Sequence, residues 1–138
     1  MSVLVDTPIW SFAYRRARRS PLEQAVVVEL TLLIRREQAV LIGAIRQEVL
    51  SGINDSAHFE SVRSTLRGFQ ELDLVGSDYE RAAMLHNVCR RKGIQGSAID
   101  FLICAVSLRY DASVFTTDGD FKRYAKLSGV RLHKPESK

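Results

Sequence analysis

The stretch Val3-Leu4-Val5-Asp6-Thr7-Pro8 carries the main architectural information in this chain. Three consecutive aliphatic residues read as a short strand covered on both faces, as in parallel sheets; a strand with one wet face would alternate. Thr7-Pro8 reads as a helix start, with a hydroxyl N-cap and a proline at the first helical position, where its missing N–H does no harm. A buried strand that runs straight into a helix is the opening of a βα unit. Asp6 stands at that junction. An aspartate is almost never fully buried unless paired, and on this reading the capping role is already taken by Thr7, so Asp6 calls for an explanation beyond folding.

The same grammar repeats along the chain. The first helix should carry Ile9, Trp10 and Phe12 and break near the run Arg15-Arg16-Ala17-Arg18-Arg19. Ser20-Pro21-Leu22-Glu23 forms a capping box, and the helix it opens should reach about Glu37 with Val26, Leu30, Leu33 and Ile34 inward. Residues 39–42 read as a second strand, turned by Gly43 into a helix that Gly52 stops. Phe59, Val62, Leu66 and Phe69 recur at helical spacing, and Leu72 to Val75 reads as a third strand. Ser77-Asp78-Tyr79-Glu80 reads as another capping box, opening a helix that ends at Gly93. Ser97-Ala98-Ile99-Asp100 opens a broadly apolar helix containing Ile99, Leu102, Ile103 and Val106. Ser113 to Thr116 is a fourth strand, a short helix begins near Asp118, and Val130 to Leu132 is a last strand. Alternating strands and helices predict an α/β fold, a three-layer sandwich with a mostly parallel central sheet. Residues 1–133 should form one domain and residues 134–138 a loose tail.

Parallel strands joined by crossovers place their carboxyl ends at one sheet edge, where such folds bind ligands. Asp6 and Asp118 follow strands directly, and Glu48 lies on the helix after the Gly43 turn. Asp100 stands in the first turn of its own helix. Singly, Asp100 reads as the N3 acid of a Ser97 capping box, Asp120 as the N3 acid of a Thr117 cap, Asp118 as a helix N-terminal charge and Glu48 as a solvated side chain. Jointly they form a candidate site. Carboxylates about 4–6 Å apart repel by several kcal/mol per pair at an effective dielectric of about 20, so a cation is expected among them. Oxygen ligands select Mg²⁺, with Mn²⁺ able to substitute, over Zn²⁺. His58, His86 and His133 show no zinc spacing, and no phosphate-binding glycine loop occurs.

The composition fits a polyanionic substrate. The net charge is +4, and with Asp6, Glu48, Asp100, Asp118 and Asp120 set aside, 20 basic side chains face 11 acidic ones. Fifteen of the basic residues are arginine, whose planar fork matches phosphate. Arg15 and Arg16 are candidate phosphate contacts, with an ordinary solvated helix end as the alternative. Cys89 and Cys104 read as small core residues. No apolar run approaches the roughly 18 residues of a membrane span, and Asp6 interrupts any signal-like N-terminus; a cytoplasmic protein is expected.

Four segments carry a family resemblance: V-D-T-P-I-W at residues 5–10, Q-E-V-L-S-G at 47–52, S-A-I-D-F-L-I-C-A-V at 97–106 and T-T-D-G-D-F at 116–121. In order and spacing these resemble the signature blocks of PIN-domain nucleases, most closely the VapC-type toxin ribonucleases, over roughly residues 2–133. The resemblance implies that Asp6 and Asp100 hold Mg²⁺ most directly and that Glu48 and Asp118 complete the acidic set. By the same resemblance, Asp120 assists through a second metal or a water, and Thr116 supplies a small hydroxyl beside the site. It further implies an endoribonuclease acting on RNA, a homodimer and a cognate antitoxin that blocks the acids. Pro8 departs from the pattern, since many members carry Ser or Asn there. Alternatives are a PIN nuclease of RNA maturation and an inactive binding module. A haloacid-dehalogenase phosphatase would need a second Asp where Pro8 stands, and a response-regulator receiver would need an acidic pair where only Asp6 is found.

Overall fold

The computed structural model describes residues 1–136. β1 spans Val3–Val5, α1 Thr7–Tyr14, α2 Pro21–Arg35, β2 Ala39–Leu41, α3 Gly43–Ser51, α4 Ser56–Leu66, β3 Gln70–Glu71, α5 Gly76–Arg91, α6 Ala98–Tyr110, β4 Ser113–Phe115 and α7 Phe121–Ser128. The four strands form one parallel sheet in the order β3-β2-β1-β4. Every residue of β1 and β2 is buried. Neighbouring strand residues point to opposite faces, so both faces are covered, as the uninterrupted aliphatic runs predict. The expected α/β architecture is observed: among the described residues, a parallel central sheet is flanked by seven helices.

The sheet extends from β1 toward β2 and β3 on one side and toward β4 on the other. Strand order therefore reverses between β1 and β4, the location where open α/β sheets leave a crevice. Val5 pairs with Phe115 there, and the Asp6 N–H donates to the Phe115 carbonyl at 2.9 Å, which carries the ladder one residue past the end of β1.

Helix α6 is buried around most of its circumference, with Phe101, Ile103, Cys104, Ala105, Val106 and Ser107 all inaccessible. It packs along α5. Asp78 and Arg109 join these two helices: Asp78 is 2% exposed and accepts from Arg109 Nε at 2.8 Å and Nη2 at 2.9 Å. On the other flank Trp10 is fully buried, donates Nε1–H to the Val5 carbonyl at 2.9 Å and packs against Tyr14 and Phe69. That bond ties the indole to the end of β1 and so steadies the backbone before Asp6.

Several boundaries differ from expectation, each because a neighbour outcompeted the local signal. The third strand is Gln70–Glu71, not Leu72 to Val75: the ladder with β2 is set by Val40 and Leu41, and Leu72 is a core residue beyond it. Helix α5 starts one residue before Ser77, because Asp78 reaches back to the Val75 N–H at 2.9 Å and Arg109 fixes it there. The last strand reduces to one bridge between Val114 and Leu132. The C-terminal segment is held as far as Glu136, whose N–H donates to buried Glu29 and whose carboxylate pairs with Arg36; the rest of the expected tail, Ser137 and Lys138, lies outside the described residues. His133 is only partly exposed and shares Glu29 at 2.7 Å. Cys89 and Cys104 are free and buried, as core residues should be. Among the described residues, no helix is long and apolar enough to cross a membrane.

Candidate active site

Asp6 is both the residue after β1 and the N-cap of α1. Its Oδ1 accepts the Thr7 N–H at 2.8 Å, and its Oδ2 accepts the Thr116 hydroxyl at 2.7 Å. Thr7 is thus the first helical residue rather than the cap, which corrects the sequence reading. Its hydroxyl instead donates to Glu48 Oε1 at 2.6 Å, fixing an otherwise exposed side chain on the middle of α3. Asp6 is 5% exposed. Burial raises its carboxyl to about 6, against the lowering effect of the two hydrogen bonds; the charges of Asp100 and Glu48 add to the rise. Asp6 therefore senses both acids through the field as well as sharing their edge of the sheet.

Asp100 fulfils its capping-box expectation, with Ser97 Oγ accepting the Asp100 N–H at 3.1 Å and Asp100 Oδ2 accepting the Ser97 N–H at 3.3 Å. The cap and the site are not alternatives here. Tyr124 on α7 also donates its phenol toward Asp100 Oδ2 at 3.3 Å and toward the Gln95 carbonyl at 3.1 Å. Burial again leads the causes that push Asp100 upward, and the Asp118 charge adds to it. The Tyr124 phenol is likewise raised, by burial first and then by Asp100. Beneath these groups the buried Cys104 thiol is pushed up to about 12, by desolvation and then by Asp100. Its chemistry is thereby suppressed, because the thiolate is the reactive form.

Asp118 lies in the turn after β4. Its N–H donates to Thr116 Oγ1 at 3.0 Å, and its Oδ1 accepts the Asp120 N–H at 2.9 Å. Thr116 consequently links Asp6 to the Asp118 turn through one hydroxyl. Asp120 is the N-cap of α7, where a Thr117 cap was expected, and its carboxylate pairs with Arg123. The sheet edge therefore gathers Asp6, Asp100, Glu48 and Asp118, while Asp120 faces its own arginine. Tyr124 and Thr7 are the polar neighbours that sequence reasoning missed. Thr7 could have been found from its adjacency to Asp6; Tyr124 carries no motif and is brought in only by its packing against Phe101 and Phe121.

The basic run is largely occupied. Arg15 pairs with Glu23 at 2.6 Å, Arg16 with Asp55 at 3.1 Å, and Arg19 donates to the Phe12 and Ala13 carbonyls at the end of α1. Arg15 still lines a small cleft of about 190 Å³ together with Glu48 and Tyr14, so it borders the acids. Arg16 is not among the residues of that cleft.

Among the described residues, no three His, Cys, Asp or Glu side chains converge closely enough to hold a metal ion. The expected tight cluster is instead an open arrangement, with each carboxylate held by a separate donor: the Thr7 hydroxyl of α1 for Glu48, the Ser97 box for Asp100 and the Asp120 N–H for Asp118. The donor set nonetheless fits a hard divalent ion. All the ligating atoms are oxygens, and Mg²⁺ commonly uses only one or two carboxylates while water and substrate phosphate fill the remaining positions. The raised Asp6 and Asp100 carboxyls show the unfavourable charge that such an ion would relieve.

The PIN domain family model matches residues 3–127. Ribonuclease VapC11 of Mycobacterium tuberculosis is 29% identical over 133 residues, covering 94% of this chain and 96% of that protein. Two solved structures share the fold. One is VapBC2 from Rickettsia felis bound to a promoter DNA fragment, with a TM-score of 0.76 and 17% identity over 99% of this chain and all of that one. The other is a toxin–antitoxin complex from Klebsiella pneumoniae, with a TM-score of 0.68 and 20% identity over 99% of this chain and all of that one.

Proposed function

Because the chain belongs to the PIN-domain family, we propose that it is a Mg²⁺-dependent endoribonuclease acting as the toxin of a toxin–antitoxin pair. One observation carries the reading: a nearly inaccessible Asp6 ends β1 at the sheet's reversal point with the charges of Asp100 and Glu48 bearing on it. Folding alone gives no reason to retain this arrangement, which raises the energy of the Asp6 carboxylate. The name of the Mycobacterium tuberculosis relative, a ribonuclease of nearly the same length, supports RNA as substrate. The Klebsiella pneumoniae complex supports a protein antitoxin. Exposed Val75, Tyr79 and Met84 on and beside α5 support a homodimer.

In this reading Asp6 and Asp100 hold the ion, Mn²⁺ substituting, with Glu48 and Asp118 reaching it directly or through water. When bound, the ion supplies charge neutralisation at the phosphate and a lowered pKa for water. The chain's own groups orient the site. Thr116 and the Thr7 N–H hold the two oxygens of Asp6, Tyr124 and Ser97 hold Asp100, and the Thr7 hydroxyl holds Glu48. Glu48 Oε2 and Asp118 Oδ2 keep free acceptor capacity among the described residues, and in this reading one of them takes a proton from attacking water. In-line displacement then leaves a 5′-phosphate and a 3′-hydroxyl without a covalent intermediate.

The test is cleavage of total cellular RNA by the purified protein with Mg²⁺ or Mn²⁺, beside EDTA and Asp6→Asn controls, with the new ends mapped. Discrete fragments bearing 5′-phosphates and absent from both controls are expected. Undiminished cleavage in EDTA or by Asp6→Asn would overturn the assignment.

A further inference from the structure

Pairing of Arg15 with Glu23 and Arg16 with Asp55 leaves open which side chains meet the RNA backbone beside the acids. A second cleft answers this. It has a volume of about 400 Å³ beyond the carboxyl end of β4 and is lined by Val114, Thr116, Asp118, Lys122, Leu132 and Lys134, among others. That volume is within the range of about 300–1,000 Å³ usual for ligand sites; the Glu48 cleft, at about 190 Å³, is smaller. Asp118 lines this cleft, and Thr116 belongs both to it and to the hydrogen bonds of Asp6, so the cleft adjoins the acids. Val114 and Leu132, joined by the parallel bridge, give it an apolar base. Lys122 comes from the first turn of α7 and Lys134 from the C-terminal segment. Both are exposed, and neither side chain makes an ion pair or hydrogen bond among the described residues. His133, also in the lining, is committed to Glu29. An apolar base with two uncommitted ammonium groups and a carboxylate in its lining suits a nucleotide: ribose and base on the apolar residues, a phosphodiester at the lysines.

On the nuclease reading above, we propose that this cleft binds the single-stranded RNA nucleotide next to the scissile phosphate, with Lys122 and Lys134 contacting its flanking phosphate. Lys134 thereby gives the C-terminal segment a substrate role, and the clamp of Glu136 on Arg36 and Glu29 holds that segment against the domain.

The experiment measures binding of a short single-stranded RNA to full-length Asp6→Asn protein across a salt series, alone and combined with Lys122→Ala, Lys134→Ala, both, or Lys92→Ala as an exposed control at the end of α5. Each phosphate contact on a single strand contributes a slope of about 0.7 in log K against log salt. Both lysines meet one phosphate, so the double variant should lose about 0.7 from the slope, each single variant less than that, and Lys92→Ala nothing. In the enzyme with Asp6 intact, the double variant should raise KM with little change in kcat. An unchanged slope in the double variant overturns the subsite, as does an equal loss with Lys92→Ala, which would mark diffuse attraction to a basic surface. Failure of every form to bind RNA, with melting temperatures intact, would instead overturn the nuclease reading on which the subsite rests.

Discussion

Replacing Asp6 with Asn should make the metal-free protein more stable while abolishing cleavage. The Asp6 carboxyl is raised from 3.8 to about 6 in the folded protein, chiefly by burial. A raised acid binds its proton more tightly folded than unfolded, so this group costs nothing below the unfolded value. Stability falls as pH rises between 3.8 and about 6, and the full cost persists above that window. At about 1.4 kcal/mol per unit, the cost at pH 7 is about 3 kcal/mol. Asparagine is neutral throughout. Its carbonyl can keep the Thr7 N–H, and its amide can donate to Thr116 Oγ1 once that hydroxyl rotates. A net gain of about 2–3 kcal/mol at pH 7 should remain, equivalent to roughly 5–10 °C in a domain of this size, and it should vanish below about pH 4. Urea denaturation of both proteins in EDTA from pH 4 to 8 measures this directly. A variant less stable at pH 7, or offset by the same amount at every pH, would refute the argument that burial and neighbouring charge strain the carboxylate. Adding Mg²⁺ should then stabilise only the wild type.

Three further outcomes follow from named contacts. Thr116→Val removes the hydroxyl donor to Asp6, a charge-assisted bond worth about 1.5–3 kcal/mol; the acid limb of the cleavage profile should move up by about 1–2 pH units, and an unmoved limb would dismiss Thr116 as a positioning residue. Asp78→Ala breaks the Arg109 pair that joins α5 to α6 and should cost about 2–4 kcal/mol at pH 7, read as a lower urea midpoint. Because the Arg109 hydrogen bond lowers the Asp78 carboxyl, the loss should shrink as pH falls below about 4. Gly96→Ala would place a methyl group against Tyr124 Oη and Phe101 Cζ; it should cost about 1–3 kcal/mol and move the tyrosine from Asp100, seen as a changed Tyr124 ring shift in NMR spectra.

Local chemistry made several elements legible in advance. The Ser20 and Ser97 capping boxes form as read, because both partners of each box lie within one turn and need no tertiary help. The uninterrupted aliphatic runs of β1 and β2 pointed to a parallel sheet for a similarly local reason: only strands covered on both faces are apolar at every position. Other errors arose where a distant group intervened. Ser77 had the composition of an N-cap, but Arg109 on another helix anchors Asp78 so that the helix begins at Gly76. Thr7 had the hydroxyl of a cap, but Asp6 took the Thr7 N–H and released that hydroxyl to Glu48.

The amino-acid order alone determined the strand–helix alternation, the covered parallel strands and the placing of Asp6 and Asp118 after strands, because residue periodicity and caps act over a few positions. Tertiary packing determined which acids share a field, that Tyr124 and Thr7 join them, and that the arginines after α1 are mostly consumed by Glu23, Asp55 and carbonyls. Hydrogen-bond partners far apart in sequence compete for one donor, and burial sets the cost of each charge. Neither quantity exists until the chain is folded.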